Sequence, residues 1–154
     1  MWWRLSRPEW NLGKGEDNRK AFQKLVRSGA EPGVLAYADS EPVGWCAIAP
    51  REQYSRLGSS RILSPLDDQP VWSVSCFYIA RRFRNQGLSA ELLKAAVDFA
   101  RARGAKIIEG YPHDKKKATV DAWVYTGLAS TFRKAGFQEV AKRAKTRPIM
   151  RLSA

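Results

Sequence analysis

The sequence predicts an α/β (α+β) fold, in which a mixed, mostly antiparallel central sheet is flanked by helices and contains one parallel strand pair. Three observations carry this. Val71–Gly104 runs as strand, tight basic turn and amphipathic helix, and a short apolar run, Ala105–Glu109, follows it. That order requires a right-handed crossover and a parallel pair. Upstream, the runs VLAYA (Val34–Ala38) and VGWCAIA (Val43–Ala49) are separated only by Asp39-Ser40-Glu41-Pro42, as in an antiparallel hairpin. Downstream, Phe137–Ala141 and Arg147–Leu152 are two further short strands that close the sheet as a hairpin. The length of 154 residues suits a single domain, 1–154, with a substantial core.

Each element has a local reason. Trp2–Leu5 is apolar enough for a short first strand. Arg7 to Gly15 is polar and carries Pro8 and two glycines, which leaves a loop or a broken helical turn. Glu16–Ser28 is helical: Ala21, Phe22, Leu25 and Val26 make an apolar side and Gly29 ends it. Pro32-Gly33 is a turn into the first hairpin. Pro50 to Pro70 is irregular, with a short helix around Glu52–Leu57, and forms either a pocket wall or a plain surface loop. Val71–Ile79 is rich in aromatic and β-branched residues, as a buried strand is. In the following helix Leu88, Leu92, Ala96, Phe99 and Ala100 share one face, and Glu91, Lys94, Asp98 and Arg101 another, before Gly104 stops it. His113–Thr119 is a basic surface loop. Ser130–Ala135 is a short helix ahead of Gly136.

The composition narrows the function classes. The chain is 44% hydrophobic, yet its apolar runs are broken too soon to span a bilayer. No apolar leader precedes a small-residue cleavage site, so the expectation is a cytoplasmic protein with no membrane partner. Cys46 and Cys76 both sit in apolar strand-like runs and read as buried free thiols. One histidine and two separated cysteines offer no zinc ligand set. The net charge of +12 is consistent with nucleic acid, an anionic cofactor, an acidic substrate or a solubilising surface. The basic residues are scattered, with clusters at Arg81–Arg84, Lys115–Lys117 and Lys142–Arg147, and no nucleic-acid motif accompanies them. A strand entering a helix through a glycine turn gathers free N–H groups and the positive end of the helix dipole. That is an anion site, and a diphosphate suits it.

The turn Arg84-Asn85-Gln86-Gly87-Leu88-Ser89 resembles the acyl-CoA-binding motif of the GNAT superfamily of N-acetyltransferases, Arg/Gln-x-x-Gly-x-Gly/Ala. Arg84 and Gly87 match, and Ser89 replaces the last small residue. Phe132-Arg133-Lys134-Ala135-Gly136-Phe137 is similar to that family's late helix running into a Gly-Phe strand start. The resemblance implies acetyl-CoA as cosubstrate, held by Phe77, Ile79, Arg84, Asn85, Gln86, Gly87, Leu88 and Ser89. The strand Phe77–Ile79 would splay from Lys106–Glu109, and free backbone groups at Phe77 and Ile79 would pair with the pantetheine arm. The amides of Asn85 to Ser89 would hold the diphosphate. An amine would then attack the thioester directly.

The same resemblance thins at the proton-transfer groups. Many members place a tyrosine as general acid where this chain has Phe132, and some place a glutamate on the central strand, near Ser73 here. Tyr125 is the candidate acid and Glu109 the candidate base, each with a bland alternative: packing for Tyr125, a strand-end salt bridge for Glu109. Asp67 and Asp68 fit a turn. His113 is either a proton relay or a solvated histidine, and Cys76 lacks an activating base. Trp45, Tyr54, Trp72, Tyr111, Trp123 and Tyr125 are candidates for the acceptor pocket, although most such aromatics are core. The expected activity is N-acetylation of a small-molecule primary amine, with a homodimer possible. The alternatives are a basic nucleic-acid or ribosome-associated module and a non-catalytic acyl-CoA-binding relative.

Overall fold

In a computed structural model, which describes residues 1–114 and 124–153, the chain forms one six-stranded open sheet with helices packed against it. The elements run α1 (Arg7–Leu12), α2 (Glu16–Arg27), β1 (Gly33–Ala38), β2 (Glu41–Pro50), α3 (Ser55–Gly58), β3 (Trp72–Ile79), α4 (Leu88–Arg101), β4 (Ile107–Gly110), α5 (Ala129–Lys134), β5 (Gln138–Ala144) and β6 (Arg147–Ser153). Short 3₁₀ turns cover Arg51–Gln53 and Arg81–Phe83. The strand order is β1-β2-β3-β4-β6-β5. Only β3 and β4 are parallel; the other neighbours are antiparallel. This is the mixed sheet expected from the order of elements. Among the described residues no helix is long and apolar enough to cross a membrane.

Two expectations at the N-terminus are corrected. Trp2–Leu5 is a turn, closed by Arg4 and Leu5 amides on the Met1 carbonyl, and it joins no strand. Arg7–Leu12 is a true helix. Ser6 caps it: its hydroxyl accepts from the Glu9 amide, and the Glu9 carboxylate accepts from the Ser6 amide at 2.8 Å. Ser-x-x-Glu is a reciprocal cap that satisfies two otherwise orphaned donors, and Pro8 sits in the first turn, where its missing N–H is harmless.

The main core lies between α4 and the sheet. Leu92, Leu93, Ala96, Val97 and Ala100 of α4 are buried against Cys46, Ile48, Val74 and Ile108. Gly44 lets the helix approach closely, since a Cβ there would come within 2.9 Å of Leu92. A second core, built on Tyr54, Leu57, Leu63, Tyr111 and Ile149, lies under the Pro50–Pro70 segment. That segment is therefore a packed wall, not a loose surface loop. The Lys115–Lys117 cluster, Trp123 and most of the basic loop lie outside the described residues.

Candidate active site

The site begins where β3 leaves β4. Their ladder spans only Trp72–Val74 against Ile108–Gly110, while β3 continues to Ile79. On its other side β3 pairs with β2 along its length, but Ala47 faces Cys76 and Ile48 faces Val74. Ser75 is thus an extra residue, a bulge that twists β3 at the point of separation. Beyond it the Phe77 amide points into the opening, where it donates to the Tyr125 carbonyl at 2.6 Å. The expectation of a free amide at Phe77 is corrected by this bond. Strand alternation turns the Ile79 amide to the same side.

A groove of about 400 Å³ fills the opening. Phe77, Tyr78 and Ile79 line one side, Arg84, Asn85 and Ser89 one end, and Tyr125, Gly127 and Leu128 the other side. The turn into α4 opens on two residues of positive φ. Gly87 stands at the N-cap with φ +84°, Asn85 has φ +61°, and the Ala90 amide closes on the Gly87 carbonyl at 2.8 Å. A Cβ at Gly87 would meet no other atom within 4 Å, so it is the positive φ that calls for glycine there. Arg84 donates from Nε to the Ile79 carbonyl at 3.0 Å, which ties the turn to the strand. Gln86 faces away and donates to the Arg82 carbonyl. Leu88 packs partly into the core. Phe77, Ile79, Arg84, Asn85 and Ser89 therefore line the groove, whereas Gln86, Gly87 and Leu88 shape the turn beside it.

Phe132 has no proton to donate and sits in the core. It is fully buried, edge-on to Phe77 and Phe137. Gly110 and Gly127 make its room: a Cβ at Gly110 would overlap the ring, and one at Gly127 would lie 2.9 Å from it. Tyr125 stands instead where three spaces meet. It lines the groove, a cavity of about 890 Å³ and a third space of about 500 Å³. Burial raises its hydroxyl above the ordinary tyrosine range, opposed in part by Arg147.

The 890 Å³ cavity is walled by aromatics: Trp2, Trp3, Trp10, Phe22, Trp45 and Tyr54. Trp45, Tyr54 and Tyr125, three of the aromatic candidates for an acceptor pocket, line this cavity. Trp72 packs on Phe99 and Tyr111 is fully buried elsewhere. The tryptophans of the N-terminal turn and α1 were missed, although Ser6-x-x-Glu9 signals the helix that presents Trp10. Cys76 lines the cavity too, but burial pushes its thiol up to about 11, which keeps it protonated at neutral pH.

Glu109 is 1% exposed and both its oxygens are taken. Oε1 accepts from Arg51 at 2.8 Å and from Tyr111 at 2.6 Å, and Oε2 from Arg151 at 2.8 Å. Ser73 bonds Tyr111 at 2.8 Å, and Arg151 also pairs with Asp67 at 2.5 Å. The salt-bridge alternative for Glu109 is what this geometry shows. The network joins β3, β4, β6 and the Pro50–Pro70 wall. His113 contacts Arg147, 2.7 Å from Nε2 to Nη1.

A mixed sheet whose parallel pair splays at a bulge, with a glycine turn at the head of the following helix, is the frame that the GNAT resemblance implies. The chain belongs to the GNAT family: the model described as "Acetyltransferase (GNAT) family" matches residues 1–119. No curated protein matches the chain. Among solved structures it is similar to a ribosomal-protein-alanine N-acetyltransferase from Brucella melitensis (18% identity, 90% of this chain and 78% of that one, TM-score 0.56). It is also similar to a GNAT-family acetyltransferase from Streptococcus agalactiae (16%, 95% and 78%, TM-score 0.56). A third is a chain of the NatC complex bound to Gag peptide and CoA (10%, 88% and 79%, TM-score 0.57). At these identities the likeness is one of fold.

Proposed function

We propose that this GNAT-family protein transfers an acetyl group from acetyl-CoA to a primary amine of a small molecule. The observation that carries the reading is the position of Tyr125, which borders both the coenzyme-type groove and the aromatic cavity. A donor and an acceptor in those two spaces would meet at its side chain. The turn residues fit the coenzyme: the positive-φ pair Asn85 and Gly87 opens backbone amides at a helix N-terminus, as a diphosphate needs. When bound, acetyl-CoA supplies a thioester carbonyl, and attack by the amine forms the C–N bond as the C–S bond breaks.

The chain's own groups divide the remaining work. The groove side of β3 offers the Ile79 amide as a backbone partner, and the Phe77 amide if the Tyr125 carbonyl gives way. The Tyr125 hydroxyl, kept protonated by burial, is the donor for the departing thiolate and regains its proton from water. The amine must arrive neutral. Arg4, Lys14, Arg56 and Arg147 line the acceptor spaces, and positive neighbours disfavour an ammonium. Its proton then passes to solvent with no dedicated base, consistent with a Glu109 fully engaged by Arg51 and Arg151. Glu109 serves as an anchor for the splay in this reading.

Thiol release from acetyl-CoA, followed across a library of primary amines, tests the proposal. Amine-dependent release with a matching acetylated product is the expected result. No release above background with any amine would refute it. Of the two clusters behind the nucleic-acid alternative, Lys142–Arg147 is partly engaged within the fold, since Lys142 pairs with Asp114 and Arg143 binds the Ser64 carbonyl.

A further inference from the structure

The acceptor region has two lobes that share Trp2, Trp3 and Tyr125. One is the aromatic cavity. The other, about 500 Å³, is basic and hydroxylic, with Arg56, Arg147, His113, Ser59 and Ser60 on its walls. Arg147 sets its character. Its Nη1 lies 2.7 Å from His113 Nε2. A guanidinium has no lone pair, so His113 accepts there and its proton sits on Nδ1. The Arg147 Nε is buried with no hydrogen-bond partner among the described residues. No described carboxylate pairs with Arg147, whereas Arg51 and Arg151 are matched by Glu109 and Asp67. An enclosed guanidinium without a counter-charge is costly unless a ligand supplies one. Arg56 adds a second cation to the same space, stacked 3.5 Å over Trp2. Among the described residues no acidic side chain lines either lobe.

We propose that the acceptor is an aromatic amine bearing a carboxylate, in the manner of an aromatic amino acid, with the carboxylate on Arg147 and Arg56, the ring among the tryptophans and the amine at Tyr125. The assignment rests on the acetyl-transfer reading above. Arginine suits a carboxylate because its fork donates two parallel hydrogen bonds, and the buried Arg147 Nε has no other partner among the described residues. The tryptophan faces suit a flat ring. Polyamines and other multiply cationic acceptors are disfavoured by the same charges.

Matched pairs test it: phenylalanine against phenethylamine, and tryptophan against tryptamine, each assayed by thiol release over a range of concentrations. The carboxylated member of each pair is expected to show a kcat/KM at least about 10-fold higher, carried mainly by KM. Arg147→Gln, and separately Arg56→Gln, should shrink that ratio toward one; the second variant serves if the first does not fold. Equal rates within pairs, or a ratio that both variants leave unchanged, would overturn the inference and leave acetyl transfer standing. Absence of thiol release with every amine would overturn both.

Discussion

Tyr125 and Phe132 are the same question asked twice at the level of single residues. The tyrosine position usual in the resembled family is filled here by a phenylalanine locked between Gly110, Gly127, Phe77 and Phe137. The sequence exposes the substitution at once, since Phe132 precedes Gly136-Phe137 by a fixed interval. It does not expose the replacement, because Tyr125 reaches the groove through an irregular segment whose path no periodicity encodes. If Tyr125 is the acid, Tyr125→Phe lowers kcat by about 100-fold with little change in the KM for the amine. Its buried hydroxyl titrates above the ordinary tyrosine range, so wild-type kcat shows no tyrosine-linked fall below about pH 10. Steady-state kinetics across pH 7 to 10.5 checks both points; an unaltered kcat in the variant contradicts the assignment.

Among elements, the strand pair β3–β4 shows how far a pattern reaches. Strand, turn, helix and strand in sequence were enough to place the one parallel pair, because a crossover has few alternatives. The splay was implied only by family likeness; the bulge at Ser75 that produces it leaves no mark on the alternation of apolar residues. Glu109 was legible as a charge at a strand end and illegible as a hub, since Arg51 and Arg151 reach it from 58 and 42 residues away in sequence. Removing the carboxylate's charge strands two enclosed arginines. Glu109→Gln is expected to destabilise the fold by about 3–5 kcal/mol in denaturant unfolding. It should spare most of the kcat of the protein that remains folded. The opposite pattern, normal stability with kcat abolished, would make Glu109 the base instead of the anchor. The α1 cap is a different kind of miss: Ser6, Pro8 and Glu9 spell the signal, and the two glycines that follow, Gly13 and Gly15, masked it.

For the molecule as a whole, the hydrophobic patterning fixed which faces pack, and the long-range charge pairs decided where the excess of positive charge went. The basic clusters are partly absorbed in tertiary contacts, and Arg4, Lys14, Arg56 and Arg147 line the aromatic cavity and the space beside it. The buried ionisable groups also set a pH limit. Burial raises Cys76 to about 11 and pushes Cys46, Tyr54, Tyr111 and Tyr125 upward as well. These groups hold their protons more tightly folded than unfolded. The Cys76 share is complete below about pH 8.5 and is lost as pH rises toward 11, about 3 kcal/mol in all, and the tyrosines add to the loss only above their ordinary value of about 10. Thermal unfolding should show a Tm that is level from pH 7 to 8.5 and falls steeply by pH 10.5, less so for Cys76→Ala.

The coenzyme groove is the claim on which the rest depends, and calorimetric titration with acetyl-CoA tests it most directly. Gly87 holds φ +84°, which a branched side chain resists, so a substitution there strains the turn that opens the first α4 amides. The account predicts saturable binding to the wild-type protein and at least about 10-fold weaker binding to a folded Gly87→Val variant. No binding to the wild type, or equal affinity in the two proteins, would contradict it.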